Sequence, residues 1–259
     1  MSAVPGSIMT EGIVSESASN ESARRTRDEF RATVEAYDRW ARSYPPVPHN
    51  PLMRAEEALM RHFWPRVRGR RALDLACGTG RYAQLLQREG AAHVTALDSS
   101  AVMLAQVTTG ARLHASMMSL PLAPASMDVV ICGLAVGHAP DLPAWHREIA
   151  RVLSSGGDLL YSDFHPDAAQ IGLKRSFEDE DGRTTVVPHH RYTAQAHEES
   201  LAAAGFELET LAEARLGIEL REAFPGSEAL YERWRGLPLV LVVRARRLGD
   251  REHSARELT

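Results

Sequence analysis

Apolar residues recur at steps of three and four across residues 27–44. Phe30, Val34, Tyr37, Trp40, Ala41 and Tyr44 share one face, which predicts a helix that Pro45, Pro46 and Pro48 end. Asn50 then stands as a cap before Pro51, with Leu52, Met53, Ala55, Ala58, Leu59 and Phe63 on the apolar side of a second helix. From Arg71 the period changes. Short apolar runs at 72–76, 93–97, 111–115, 128–136 and 158–164 alternate with helical stretches at 81–89, 100–108 and 142–153. Strand–helix alternation with largely uncharged strand interiors predicts a parallel sheet covered on both faces. Residues 173–188 read as a hairpin turning at 179–182, followed by a helix at 193–204, a strand at 206–216, a short helix at 227–234 and a last strand at 237–246. The short connection between the last two strands predicts an antiparallel edge strand. The expected class is therefore α/β: a doubly wound, mostly parallel, seven-stranded sheet with an N-terminal helical cover.

Residues 1–25 are rich in Ser and Glu without an apolar period and are expected to form a disordered tail; 249–259 are expected to fray. One domain would fill 26–248, with 26–65 as its helical cover. Of the 259 residues, 44% are hydrophobic and 25% charged, and the formal charge of −4 speaks against a general electrostatic grip on nucleic acid. No apolar run has the length of a membrane span, and the first twenty residues carry Glu11 and Glu16 where a signal peptide would be apolar. The two cysteines, Cys77 and Cys132, exclude a disulfide scaffold and suit a reducing, cytoplasmic setting.

The sharpest motif is Leu73-Asp74-Leu75-Ala76-Cys77-Gly78-Thr79-Gly80, an apolar strand running into a small-residue turn ahead of a helix. Gly78 and Gly80 allow positive φ and close approach of a ligand to the backbone, and the helix start offers free N–H groups. Asp98 follows Gly80 by eighteen residues, a spacing at which an acid can take ribose hydroxyls. Gly78, Gly80 and Ala83 also satisfy the dinucleotide pattern. Asp74 separates the two nucleosides: a carboxylate before the turn would repel a pyrophosphate and welcome a cation. This favours S-adenosylmethionine over a nicotinamide dinucleotide.

With those residues in view, the sequence resembles the class I S-adenosylmethionine-dependent methyltransferases, in the small-molecule group that includes ubiquinone- and menaquinone-synthesis enzymes. Residues 73–80 stand at that family's glycine-rich motif and Asp98 at its ribose-binding acid. Leu120-Pro121-Leu122 with Met127-Asp128-Val129-Val130 resembles its fourth-strand entry, and Arg151-Val152-Leu153 with Gly156-Gly157-Asp158-Leu159-Leu160 the approach to its fifth strand. Residues 37–44 resemble its N-terminal helix over the cofactor. The resemblance implies a Rossmann-like fold and a cofactor set of Asp74, Ala76, Gly78, Gly80, Asp98, Ser99, Met103, Ser116, Met117, Gly133 and Tyr37. Two departures stand out. Ala76 replaces the usual first glycine, and Ser116-Met117 replaces the adenine-pairing acid, which leaves the Ser116 hydroxyl and the Met117 thioether to hold the ring.

Methyl transfer from a sulfonium is an in-line displacement, so alignment of donor and acceptor is the main requirement. His138 and His165 follow the fourth and fifth strands, where open α/β sheets bind ligands, and either imidazole can accept a hydroxyl proton. They are the expected catalytic residues, with His49, His189, His190 and Arg191 as expected substrate contacts. In the family this chain resembles, an insertion such as 166–192 roofs the substrate. Its Lys174, Arg175 and Arg183 are read as a solvated set balanced by Glu178-Asp179-Glu180-Asp181; the alternative is a grip on a carboxylate or on a carrier's phosphopantetheine. No metal is expected, since no paired histidine spacing occurs. The expected reaction is methylation of a hydroxyl oxygen on a small-molecule acceptor, by a protein that can act as a homodimer and binds neither nucleic acid nor membrane. Carboxyl esterification of the malonyl-carrier-protein type, N- or C-methylation, a nicotinamide oxidoreductase and a non-catalytic cofactor-binding subunit are the alternatives.

Overall fold

The computed structural model describes residues 11–170, 175–178, 184–218, 221 and 228–249. Helix α1 (Glu11–Trp40) opens the chain and a 3-10 turn (Ala41–Ser43) closes it. Helix α2 (Pro51–His62) follows; the Asn50 side chain accepts the Met53 N–H, the N-cap foreseen from the sequence. The alternating core comprises β1 (Arg71–Leu75), α3 (Arg81–Arg88), β2 (His93–Asp98), α4 (Ala101–Ala105), β3 (Ala111–His114), β4 (Met127–Cys132), α5 (Leu142–Val152) and β5 (Leu153–Phe164). Then come α6 (Pro166–Gln170), the hairpin β6 (Ser176–Glu178) and β7 (Thr184–Val186), α7 (Ala194–Ala203), β8 (Phe206–Arg215), α8 (Glu228–Trp234) and β9 (Pro238–Arg247). Among the described residues no helix is long and apolar enough to cross a membrane.

The seven-stranded sheet has the order β3-β2-β1-β4-β5-β9-β8. The first five strands are parallel; β9 runs antiparallel to both β5 and β8 and builds the expected antiparallel end. Chain order reverses between β1 and β4, so their carboxyl ends flank a crevice where such sheets bind ligands. Apolar side chains of the strands bury on both faces. Leu86, Val129, Leu160 and Val242 lie in one core, and Leu73, Val130, Trp145, Tyr161 and Val243 in the other. This two-sided burial is why the strands read as continuous apolar runs.

One expectation about the chain's outer parts needs adjustment. Residues 11–25, expected as disordered tail, continue α1 as helix. Further along the same helix, Arg24–Asp28, Arg25–Glu29 and Arg31–Glu35 pair at helical spacing on its exposed surface. The hairpin at 173–188 is present in its strands, while its turn, Lys174 and Arg183 lie outside the described residues, as do 1–10 and 250–259.

Candidate functional site

β1 ends at Leu75, and the chain crosses the crevice on a turn with three positive φ angles: Ala76 at 55°, Gly78 at 54° and Gly80 at 88°. Ala76 thus occupies a left-handed position that costs a side-chain-bearing residue about 1–2 kcal/mol, which explains the family's glycine there. A Cβ on Gly78 would meet nothing within 4 Å, so its backbone is open to a ligand; one on Gly80 would come within 3.1 Å of Val107. Asp98, at the end of β2, sets the turn's height. Its Oδ2 accepts the Gly78 N–H at 2.7 Å and its Oδ1 the Ser100 N–H at 2.8 Å, and burial raises its pKa.

A cavity of about 360 Å3 opens over this turn. Ala76, Gly78, Asp98, Ser99, Met103, Ser116, Met117, Gly133 and Tyr37 line it, together with Cys77, Tyr44 and Arg81. Its far wall consists of Ala135, His138, Pro140, Arg175, Pro188 and His190, and one face of α1 (Thr26, Arg27, Glu29, Phe30 and Thr33) closes over it. An open backbone at Gly78, a carboxylate at Asp98 and a buried thioether at Met117 make a wall that fits a nucleoside.

Asp74 and Gly80 are not on this wall. Asp74 is buried, and its Oδ2 accepts the Ala83 N–H at 2.7 Å. Helix α3 starts at a glycine without a capping side chain, so Asp74 satisfies one of its free amides from below. Burial raises the Asp74 pKa to about 7. Of the two aspartates, Asp98 faces the cavity, and the charge argument built on Asp74 passes to it.

The histidines separate sharply. At His138, Nδ1 donates to the Pro188 carbonyl at 3.1 Å, because a carbonyl can only accept. Nε2 therefore accepts the Tyr37 hydroxyl at 2.9 Å. Burial holds the His138 pKa well below 6.5, so the ring is neutral, and burial lifts the Tyr37 hydroxyl to about 12. His165, the other expected base, does not line the cavity. Its Nδ1 accepts the Asp167 N–H at 3.2 Å and its Nε2 donates to Glu213 Oε1 at 3.2 Å, which turns the ring toward β8.

Of the expected substrate contacts, His190 lines the cavity and His49, His189 and Arg191 do not. His49 packs on Tyr44, with ring centres 4.8 Å apart. His189 lies behind the wall; its Nε2 is 3.3 Å from Asp163 Oδ1, and burial drives its pKa to about 3 while raising Asp163 to about 7. Arg191 is exposed.

Arg175 corrects the picture of a solvated hairpin. It lines the cavity, donates to the Leu134 carbonyl, and places its guanidinium 5.7 Å from the Tyr37 ring centre and 5.2 Å from that of Phe164. Among the described residues no carboxylate lies within ion-pair distance of it. The only sequence signal for this was the basic run beside the hairpin; Tyr44 and Arg81, also on the wall, carried none beyond helix patterning.

Comparison with known proteins follows the same outline. Residues 73–161 match the family model described as a methyltransferase domain. A malonyl-[acyl-carrier protein] O-methyltransferase from Erwinia billingiae is 34% identical over 142 residues, covering 53% of this chain and 55% of the relative. A ubiquinone biosynthesis O-methyltransferase from Sodalis glossinidius is 36% identical over 107 residues, covering 36% and 41%. The chain thus spans about half the length of the curated relatives it matches. The crystal structure of an S-adenosylmethionine-dependent methyltransferase from Mesorhizobium loti superposes with a TM-score of 0.61 at 29% identity, covering 74% of this chain and 98% of that one.

Proposed function

The chain belongs, by its fold and by residues 73–161, to the class I S-adenosylmethionine-dependent methyltransferases, and from that premise we propose that it methylates a carboxylate oxygen of an organic acid. When bound, S-adenosylmethionine supplies an electrophilic methyl group on a cationic sulfur. Asp98 is placed to take its ribose hydroxyls, Ser116 and Met117 to flank the adenine, and the open backbone at Gly78 to admit it closely.

The observation that carries the acceptor class is Arg175. A carboxylate is already ionised at neutral pH and loses no proton on esterification, so it needs alignment and a fixed cation rather than a base. Arg175 is a cation on the far wall, held by the Leu134 carbonyl and two aromatic rings. His138 is poorly suited to take a proton from an alcohol, because burial lowers its basicity and Tyr37 already occupies Nε2. In this reading Tyr37 and His138 shape the wall and exclude water, and Arg175 orients the acceptor. One relative is named a malonyl-[acyl-carrier protein] O-methyltransferase, and a malonyl thioester carries a free carboxylate, which supports this reading.

A second reading rests on His138 itself: after displacement of Tyr37, Nε2 would face the cavity and serve a hydroxyl acceptor. Product chemistry separates the two. With methyl-labelled cofactor and a panel of carboxylic acids and phenols, free and thioester-linked, esterification gives label that mild base releases as methanol. A base-stable methyl ether would overturn the carboxylate assignment.

A further inference from the structure

A charged cluster lies immediately behind the glycine turn. Glu56 of α2 is fully buried, and three donors converge on it: Arg81 Nη2 at 2.8 Å, the Tyr82 hydroxyl at 2.7 Å and the Ser162 hydroxyl at 2.6 Å. Arg81 also donates to Glu57 at 3.1 Å, and its guanidinium stands 4.3 Å from the Tyr82 ring centre. Arg81 is the residue after Gly80, opens α3, and lines the cavity. Across from it, a Cβ on Gly133 would fall 2.4 Å from Tyr82 and 3.3 Å from Glu56 Oε1, so the cluster fills the wall there up to the backbone.

Stability alone is a poor account of this arrangement. A cation in the first turn of a helix opposes the helix dipole, and a buried ion pair is often no better than apolar packing of the same volume. The cluster holds a guanidinium rigidly at one place on the wall, beside the turn that a nucleoside cofactor would approach. S-adenosylmethionine carries an amino-acid arm whose carboxylate suits a planar, pre-oriented guanidinium.

We propose that Arg81 receives the carboxylate of the cofactor's amino-acid arm and that Glu56 is the positioning residue that fixes its guanidinium. This rests on the cofactor reading above. It makes α2 part of the cofactor site: the cover helix holds a cofactor contact in place through Glu56.

Calorimetry with two nucleosides tests it. S-adenosylhomocysteine carries the amino-acid arm, and 5′-methylthioadenosine shares the adenosine and the sulfur but lacks the arm. Arg81→Gln should weaken S-adenosylhomocysteine about tenfold or more, while methylthioadenosine changes less than about twofold. Glu56→Gln keeps an acceptor for Tyr82 and Ser162 but drops the charge facing Arg81; it should weaken the same ligand selectively and by less. Arg81→Lys preserves the charge without the planar fork and should fall between wild type and Arg81→Gln for the armed ligand only. Equal weakening of both ligands in the folded variants, or no weakening of either, overturns the proposal. Should the Gln variants not fold, Arg81→Lys decides alone by the same ligand ratio, and an unchanged ratio overturns the proposal. Wild-type protein that binds neither nucleoside would instead overturn the cofactor reading itself.

Discussion

Tyr37 and His138 stand 101 positions apart in the chain and meet through a hydrogen bond of 2.9 Å, with the Tyr37 hydroxyl donating to Nε2. The Pro188 carbonyl on Nδ1 fixes the ring so that only this nitrogen can accept. The bond ties the cover helix α1 to the loop leaving β4 at the cavity wall. The Ser100 hydroxyl donating to Asp38 makes a second tie one residue further on.

Loss of the first tie should loosen the cover. Tyr37→Phe is expected to cost about 1 kcal/mol and to speed amide exchange in the last turns of α1 and in the 3-10 turn after it, with β1 and β4 unchanged. Hydrogen-exchange mass spectrometry reads this directly, and unaltered exchange in α1 would show that Tyr37 does not anchor it.

Arg175→Met should raise the KM of a carboxylate acceptor about tenfold or more and leave the dissociation constant of S-adenosylhomocysteine unchanged. Arg175→Lys should recover only part of the loss, since an ammonium cannot keep the Leu134 carbonyl and both ring contacts together. Steady-state kinetics beside calorimetry separates acceptor from cofactor effects; a matched loss in both would remove Arg175 from the acceptor side.

Asp74 and Asp98 should behave oppositely. Asp98→Asn is expected to weaken adenosine-containing ligands about tenfold. Asp74→Asn keeps an acceptor for the Ala83 N–H and should leave them within about twofold, whereas Asp74→Ala should cost about 1–2 kcal/mol of stability as a lost cap. Titration calorimetry and urea denaturation check the pair. Strong ligand loss in Asp74→Asn would return that carboxylate to the cofactor wall.

A Cβ on Gly137 would lie 1.9 Å from His189 Cε1. Gly137→Ala should therefore destabilise by about 1–3 kcal/mol through overpacking. Adding His189→Ala should return part of that loss, and a double-mutant cycle in urea measures the coupling. Additive losses would mean that the two residues do not contact.

Acid should weaken the fold through the buried histidines. His146 and His197 flank the Tyr161 hydroxyl, at 3.2 and 2.9 Å, and burial holds their pKa values to about 3 and about 4. The unfolded chain protonates them near 6.5, so it binds more protons than the folded one between about pH 4 and 6.5, and stability falls as pH falls through that window. Asp74 and Asp163, raised to about 7 by burial, act in the reverse sense. Their contribution is present below about pH 4 and is lost as pH rises through 7. His197→Asn removes one titrating ring while keeping a polar group near Tyr161. It should lower the slope of stability against pH between 4 and 6.5 by up to about one proton, as read from urea midpoints at each pH; an unchanged slope would mean that folding does not depress the His197 pKa.

Local sequence was enough for the alternating strands and helices, the Asn50 cap and the turn at Gly78 with Asp98 beyond it, because each depends on neighbours within a few residues or on a strand period. It also carried the alternation that implies a doubly wound sheet, while the pairing of β1 with β4 that opens the crevice came from the fold. Tertiary structure decided which charges and rings face that crevice. His138 and His165 both follow a strand and precede small or proline residues, and nothing near them in the chain tells them apart. Glu213, on a strand some fifty positions later, draws His165 away, while Tyr37 from the cover helix meets His138. Asp74 turned inward because α3 begins without a side-chain cap, and Arg175 turned toward the cavity because aromatic rings from α1 and β5 receive it. The direction a side chain takes depends on partners that folding brings from far along the chain.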